Sequence, residues 1–294
     1  MPSPYLGRFA PSPSGPLHFG SLVCALASYL DAKQQGGQWH LRIEDIDPPR
    51  EVPGAAERIV RSLEQHGLGW DGPVLWQSQR SAQYEAVLED LRRAGHIYPC
   101  SCTRKRLESL GHRYDGYCRQ HPATPPAAWR LTVAVDQDVV FTDRHLGRQI
   151  QNLGAQGDYI IHRKDGLYAY ALAVVVDDWQ QGFTHVVRGS DLLGATGNQI
   201  YLFGLLGAKA PSYAHIPVIT DAQGQKLSKQ NHAQALDNQI PGHNLWRALW
   251  ALGARPPKEL SQSTPSAVIQ WALEHWQLGQ LPAGTRMSES DLPI

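Results

Sequence analysis

Three groups of side chains in this 294-residue sequence stand at spacings that suggest chemistry. The first is Pro16-Leu17-His18-Phe19-Gly20-Ser21, where a short strand candidate turns into a long helical pattern. A helix N-terminus at such a place offers unpaired backbone N–H groups and a partial positive charge to a phosphate. Gly20 would let a nucleotide approach the backbone, and His18 could donate to its phosphates. Alone, a His-x-Gly at a helix start is far more often a cap and a turn. The second group is Gly224-Gln-Lys226-Leu-Ser-Lys229-Gln230, which holds two of the chain's seven lysines. Such a pair suits a mobile loop that neutralises charge on a transferring phosphoryl group, although a lone lysine pair reads as a solvated turn. The third is Cys100-Ser-Cys102 with Cys118. Three close thiols in a reducing compartment point to zinc before a disulfide. The fourth ligand stays open on chemistry alone: His121, at Cys-x2-His, is the conventional candidate, and a tyrosine is an unusual one. Cys24, on the first helical pattern, reads as a small buried side chain.

The elements that must position these groups alternate. Tyr5 to Phe9 reads as a strand ending in Ala10-Pro-Ser-Pro-Ser-Gly15, and Leu22, Leu26 and Leu30 mark one face of a helix. Trp39 to Ile43 is the next strand and Ala55 to His66 the next helix, and Ser81 is placed to cap a third. This order predicts an α/β fold, a parallel sheet with crossover helices. From Gly95 to Pro126 the pattern breaks into a Gly/Pro-punctuated, cysteine-bearing stretch. Asp158 to Arg163 and Leu167 to Val176 then read as strands of a hairpin around Lys164-Asp165-Gly166. Thr184 to Val187 is a short strand, Asn198 to Leu206 a helix, and Ile216 to Thr220 a strand. After about Gln230 the pattern is helical, with Leu245, Leu249 and Leu252 on one face.

Composition narrows the class. Apolar residues make up 42%, and 27 basic side chains balance 27 acidic ones. A protein that coats nucleic acid non-specifically is basic overall, so any RNA contact must come from a local patch. The N-terminus lacks the pattern of a signal peptide, and the longest apolar run is about half of what a bilayer needs. The expectation is a cytoplasmic protein without a membrane partner, and we read it as a monomer.

His18-x-Gly20 near the start and Lys226-Leu-Ser-Lys229 near the end resemble the two signatures of class I aminoacyl-tRNA synthetases. Between them, Arg8-Phe-Ala-Pro-Ser-Pro-Ser-Gly15, Leu41-Arg-Ile-Glu-Asp-Ile-Asp47, Ala173-Val-Val-Val-Asp-Asp178 and Thr184-His-Val-Val-Arg-Gly189 resemble the glutamyl-tRNA synthetase catalytic domain, in its order. The resemblance implies a Rossmann-type parallel sheet with a zinc-bearing insert and a small C-terminal helical region. The halves of the catalytic domain would be 1–94 and 135–230, the insert 95–134, and the helical region 231–294. It also implies ATP with magnesium as co-substrate. His18, Gly20, Ser21 and Lys229 would lie at the nucleotide, and His18, Lys226 and Lys229 would stabilise the transferring phosphoryl group.

Charge matching and the family pattern agree on the amino-acid pocket. Glutamate carries two carboxylates and one ammonium, so its pocket needs cations and an acid. Arg8 and Arg188 can each meet a carboxylate as a bidentate fork, and Glu44 can receive the ammonium. Ala10 and Ser12 line the turn between them, and Tyr170 would supply a hydroxyl from the central strand. Alone, Glu44 beside Asp45 and Asp47 would read as a solvated strand-end acid.

Cys100-x-Cys102, Tyr114-Asp-Gly116 and Cys118 resemble the glutamyl-Q tRNA(Asp) synthetases, a shorter paralogous family, in which the tyrosine is the fourth zinc ligand. The metal set implied is Cys100, Cys102, Tyr114 and Cys118. Asp47-Pro-Pro-Arg-Glu-Val-Pro-Gly54, Lys226-Leu-Ser-Lys-Gln-Asn231 and the small Ser190 after Arg188-Gly fit that family too. The 64 residues after Gln230 leave no room for an anticodon-binding domain. The acceptor implied is queuosine in the anticodon arm of tRNA(Asp), and the basic stretch from Arg92 to Arg130 is the candidate for backbone contact. The competing readings are a shortened enzyme that charges a tRNA 3′ end, a small-molecule nucleotidyltransferase and an inactive binding paralogue. Intact His18, Lys226 and Lys229 speak against the last.

Overall fold

The computed structural model describes residues 4–111, 114–227 and 234–293. Strand β1 (Leu6–Phe9) leads into helix α1 (Phe19–Gln34), and β2 (Gln38–Ile43) returns parallel to β1 with Arg8 opposite His40. Helix α2 (Ala55–Gln65) crosses to the short β3 (Leu75–Trp76), parallel to the end of β2. A 3-10 turn at Gln77–Arg80 runs straight into α3 (Ser81–Arg93). Ser81 is therefore the first helical residue and not the expected cap; Arg80 holds the cap position, without a side-chain capping bond.

The chain then leaves the parallel sheet. Strand β4 (Ile97–Cys100) is followed by the short helices α4 (Arg104–Ser109) and α5 (Tyr117–Gln120) and by β5 (Ala128–Leu131). A hairpin of β6 (Asp138–Asp143) and β7 (Gly147–Asn152), the single turn α6 (Leu153–Gln156) and β8 (Tyr159–His162) come next. Strands β4, β5 and β8 make an antiparallel sheet around the cysteine-bearing stretch.

After β8 comes a tight turn, Arg163 N–H donating to Leu167 O at 2.8 Å, but its returning arm is not the expected strand. Tyr168 makes one bridge to His162, and Tyr170–Gln180 is helix α7. A run that is apolar on every side fits a buried helix as well as a buried strand. The three valines favour a strand locally; burial of Leu172 to Asp178 within the fold overrides that preference.

Strand β9 (His185–Gly189), helix α8 (Leu193–Leu205) and β10 (Ser212–Ile216) complete the parallel core, with Arg188 opposite His215. Helix α8 starts five residues before the expected Asn198. Pro217 separates β10 from β11 (Val218–Thr220), so the single strand expected from Ile216 to Thr220 is two. Helices α9 (Pro241–Ala251) and α10 (Pro265–His275) follow, and the C-terminal region also supplies a short strand, β12 (Arg286–Ser288), parallel to β11.

Sheets β3-β2-β1 and β9-β10 are joined where Thr184 N–H donates to Leu6 O (3.0 Å) and Leu6 N–H to Thr184 Oγ1 (2.9 Å). Side chains alternate along each strand. Phe9, Trp39, Leu41, Val187, Ala214 and Ile216 enter one core with residues of α1, α2, α9 and α10. Arg8, Arg42, Arg188, Tyr213 and His215 fall on the alternate positions, all buried. A second core, built from α3, α7, α8 and the antiparallel strands, lies beyond them. No helix among the described residues is long and apolar enough to cross a membrane.

Leu249 of α9 is fully buried in the core it shares with α1. Leu249→Ala is expected to cost about 3 kcal/mol. Because α9 and α1 share that core, loss of α9 and of the β1–α1–β2 unit should be one transition when urea unfolding is followed by tryptophan fluorescence and by circular dichroism.

Candidate active site and metal centre

The site begins with a buried carboxylate on α7. Asp178 Oδ1 accepts from Arg8 Nε (3.1 Å) and Arg42 Nη1 (2.7 Å), and Oδ2 accepts from Arg8 Nη2 (3.0 Å). Burial pushes the Asp178 carboxyl up, and the two guanidiniums overcome it, holding it below the usual range. Its neighbour Asp177 accepts from Gln77 Nε2 (2.7 Å) and Tyr84 Oη (2.8 Å) and pairs with Arg80. One helix turn is thereby tied to both the sheet and α3. The expected fork of Arg8 toward a ligand carboxylate is partly committed: its Nε–Nη2 edge belongs to Asp178, which leaves the Nη1 side.

Glu44, two residues beyond Arg42 on β2, is 3.4 Å from Arg42 Nη2. Burial raises its carboxyl, against the pull of Arg42 and Arg8. The turn after β1 is held beside it, Glu44 N–H donating to Pro11 O at 3.0 Å, and this sets Ala10 and Ser12. Tyr170 stands on the first turn of α7, not on a central strand. Burial and the charge of Glu44 raise its phenol, while Arg188 and Arg8 lower it. The structure thus brings Glu44, Arg188 and Arg8 each within electrostatic reach of Tyr170. Ser12, Glu44 and Tyr170 also line a cavity of about 530 Å³ with Asp47, Arg163 and Tyr168. Arg8, Ala10 and Arg188 lie outside that lining.

Arg188 is 4% exposed, and its Nη1 is buried without a hydrogen-bond partner among the described residues. The Tyr213 hydroxyl is in the same condition. A buried unsatisfied donor costs about 1–3 kcal/mol, and these two belong to side chains in contact, the Arg188 guanidinium lying 5.0 Å from the Tyr213 ring.

At the other signature, His18 is the N-cap of α1, and its Nδ1 accepts from Ser21 N–H at 3.3 Å. Gly20 follows on the first turn, which carries no acidic residue, and a Cβ there would sit 3.4 Å from the His18 ring. The His18 side chain satisfies one N–H of this helix end, and a first turn without an acid leaves the helix dipole uncompensated there, which favours an anion. Lys226, in the loop after β11, pairs with Asp191, just past β9. Lys229 lies outside the described residues.

In the insert, the Sγ atoms of Cys100, Cys102 and Cys118 lie within 4.8 Å of one another, and all three thiols are free. Cys102 and Cys118 are 3.5 Å apart. Tyr114 Oη is 3.7 Å from Cys100 Sγ and accepts from Cys118 N–H at 2.7 Å. Arg130 Nε donates to Cys100 Sγ at 3.2 Å. Four atoms bound to zinc at about 2.3 Å stand about 3.8 Å apart, so this set has the right dimensions. His121 is exposed, stacks on Tyr117, and does not join the metal-capable group among the described residues. The basic stretch is partly neutralised. Arg106 pairs with Asp115 and Arg119 with Asp158, and Arg130 is buried, whereas Arg104 and Lys105 stay exposed.

Sequence reasoning named neither Arg42, Asp178, Tyr213 and His215 as site residues nor Asp143. The available signal was a polar residue at alternate positions of otherwise apolar strands, as in Leu41-Arg42-Ile43 and Ala214-His215-Ile216.

A parallel core whose first long helix starts at an N-capping His18, beside a buried cluster of arginines and carboxylates, has the layout of a class I synthetase. The model for the catalytic domain of class I tRNA synthetases (E and Q) matches residues 6–249, and the chain belongs to that family. A glutamate tRNA ligase from Elizabethkingia meningosepticum, crystallised with its amino acid, superposes with a TM-score of 0.82 at 26% identity, over 98% of this chain and 68% of that one. Within the family the chain belongs to the glutamyl-Q tRNA(Asp) synthetases. It is 49% identical to that of Pseudomonas aeruginosa over 99% of this chain and 100% of the relative, and 51% identical to that of Thiobacillus denitrificans over 96% of each.

Charges at the site fix the pH dependence of stability. Burial lowers His215 and His66, so both are neutral in the fold, and the unfolded chain binds their protons first. Stability therefore falls as pH drops below about 6.5. Asp178 and Asp143, held low in the fold, contribute stability that is present above about 3.9 and lost as pH falls through their folded values. Urea midpoints should decline from pH 7 to 5 and again below about 4. A flat midpoint between pH 7 and 5 would contradict neutral buried histidines.

Proposed function

We propose that the chain activates L-glutamate with ATP, forming glutamyl-adenylate without any tRNA, and transfers the glutamate to queuosine in the anticodon arm of tRNA(Asp). The observation that carries this is the unpaired, buried Nη1 of Arg188 together with Tyr170, whose phenol feels Glu44, Arg188 and Arg8 at once, a charge pattern complementary to glutamate. Arg188 and the Nη1 side of Arg8 receive carboxylate, Glu44 receives the ammonium, and Ala10, Ser12 and Tyr170 shape the pocket. The α-carboxylate of glutamate attacks the α-phosphorus of ATP in line, and pyrophosphate leaves. His18, Gly20, Ser21 and the start of α1 hold the phosphates, and Lys226 and Lys229 neutralise the developing charge. Magnesium accompanies ATP and screens its phosphates.

The acceptor reading rests on the full-length likeness to the glutamyl-Q tRNA(Asp) synthetases. A hydroxyl of the queuosine cyclopentene diol attacks the adenylate carbonyl, and AMP leaves. Among the described residues of the insert, the exposed Arg104 and Lys105 would meet the RNA backbone. The enzyme works in the cytoplasm as a monomer.

Glutamate-dependent ATP–pyrophosphate exchange should run without tRNA, and Lys229→Ala should lose most of it with the fold intact. A queuosine-containing anticodon stem-loop of tRNA(Asp) should accept radiolabelled glutamate, while the same loop with guanosine should not. Full tRNA lacking its 3′ adenosine should remain a substrate. Loss of transfer on that truncation, together with charging of unmodified glutamate tRNA, would identify an ordinary tRNA-charging enzyme.

Zinc fits the thiol cluster, with Cys100, Cys102 and Cys118 as thiolates and Tyr114 as the fourth ligand; its role is to fold the insert. Metal analysis should find one zinc per chain. Cys102→Ser and Tyr114→Phe should each reduce it, and His121→Ala should not. Hydrogen exchange should rise in residues 97–131 before the parallel core.

A further inference from the structure

We propose that Asp143 and His215 are positioning residues, a buried relay that fixes the guanidinium of Arg188 and leaves its Nη1 turned to the ligand carboxylate. The proposal rests on the reading of Arg188 as a glutamate-binding group.

Its first link is a carboxylate with no exposure to solvent that matters. Asp143, at the end of β6, is 1% exposed. Its Oδ1 accepts three backbone N–H groups, from His145 (3.0 Å), Leu146 (2.9 Å) and His215 (3.2 Å). Its Oδ2 lies 2.6 Å from His215 Nδ1. An ionised carboxylate can only accept, so the proton of His215 sits on Nδ1. Nε2 of that neutral ring is then an acceptor, and Arg188 Nε, which can only donate, lies 3.1 Å away.

Arg188 Nη2 donates to Thr196 Oγ1 at 2.7 Å, and the Thr196 hydroxyl lies 3.0 Å from both Leu192 O and His215 Nε2, with one proton to give to either acceptor. The Tyr213 ring covers the guanidinium, 5.0 Å from its central carbon. Nε, Nη2 and one face are thereby occupied, and Nη1 alone is left buried without a partner among the described residues. Arg188 and His215 are register partners on neighbouring parallel strands, so the pair is set by the sheet. Asp143 comes from the β6–β7 hairpin, outside the parallel core, so the hairpin controls the direction of a pocket arginine. Burial keeps His215 neutral, as an acceptor at Nε2 requires. The logic is that of any imidazole whose tautomer is dictated by a carboxylate behind it.

Asp143→Asn keeps the shape and reverses the relay. Its carbonyl must face the three backbone N–H groups, so its amide N–H2 faces His215 Nδ1. The histidine proton then moves to Nε2, where it opposes Arg188 Nε–H. In glutamate-dependent ATP–pyrophosphate exchange, Asp143→Asn should raise the KM for glutamate about tenfold or more, with kcat and the KM for ATP little changed. Discrimination of glutamate over glutamine should fall with it. Long-range 15N NMR of the histidine ring should report the switch from the Nδ1–H to the Nε2–H tautomer, and the melting curve should report folding. Arg188→Lys is the reference. If it raises the KM for glutamate while a folded, tautomer-switched Asp143→Asn does not, the relay is overturned and the reading of Arg188 stands. If neither raises it, the reading of Arg188 falls. Should Asp143→Asn not fold, His215→Gln and His215→Leu decide. The Gln carbonyl can accept from Arg188, so its KM for glutamate should stay well below that of His215→Leu. Equal values for the two would overturn the relay.

Discussion

Asp178 is a carboxylate removed from water and gripped by two guanidiniums, Arg8 from β1 and Arg42 from β2. Neither partner could be buried there without it, because an isolated guanidinium in the interior is far costlier than a paired one. The interaction closes α7 onto the sheet and places the first turn of α7, with Tyr170, over the ends of the strands. It also takes one edge of Arg8, and so decides which side of that side chain remains for a ligand. Asp177 anchors the same turn to α3 through Tyr84 and Gln77. Two consecutive acids on one helix thus hold the two layers at a set distance, and the pocket is the space left between them.

That space is built at a cost to the empty protein. Glu44 is a carboxylate whose burial works against its charge, Arg188 Nη1 donates to nothing among the described residues, and the Tyr213 hydroxyl is also unsatisfied. Apolar side chains in these places would be more stable. The rest of the fold absorbs the cost through a large core that α1, α9 and α10 complete on the opposite face of the sheet. Polar recognition on one side and apolar cohesion on the other follow from strand alternation alone.

The insert follows a different rule. Its own apolar cluster is small, four buried residues of which two are cysteines, so metal ligation suits it better than packing does. Arg130, stacked at 4.0 Å on Tyr114 and donating to Cys100, places a cation beside a cluster that would be anionic as thiolates. Much of the positive charge that makes this stretch look basic is used internally in this way. Among the described residues of this stretch, Arg104 and Lys105 on the short helix after Thr103 keep exposed charges, a local patch on a chain of zero net charge.

The alternation of strands and helices, the helix start at His18 and the three thiols were legible in the sequence, because each is a local pattern. Helical spacing of Leu22, Leu26 and Leu30, a glycine two residues past a histidine, and Cys-x-Cys need no partner from elsewhere in the chain. Helix α7 was not legible, since an apolar run is equally a buried helix or a buried strand until its neighbours are known. The same holds for Asp178 on Arg8, Asp143 on His215 and His215 on Arg188. These contacts join residues 170, 72 and 27 positions apart. They exist only once register has set β9 against β10 and a hairpin has brought Asp143 under the imidazole. Residue types and spacing determined which chemistry the chain could carry; the tertiary structure alone decided which donors are already occupied and which, like Arg188 Nη1, are left buried without a partner among the described residues, because a hydrogen bond is a matter of tenths of an ångström and sequence separation carries no such distance.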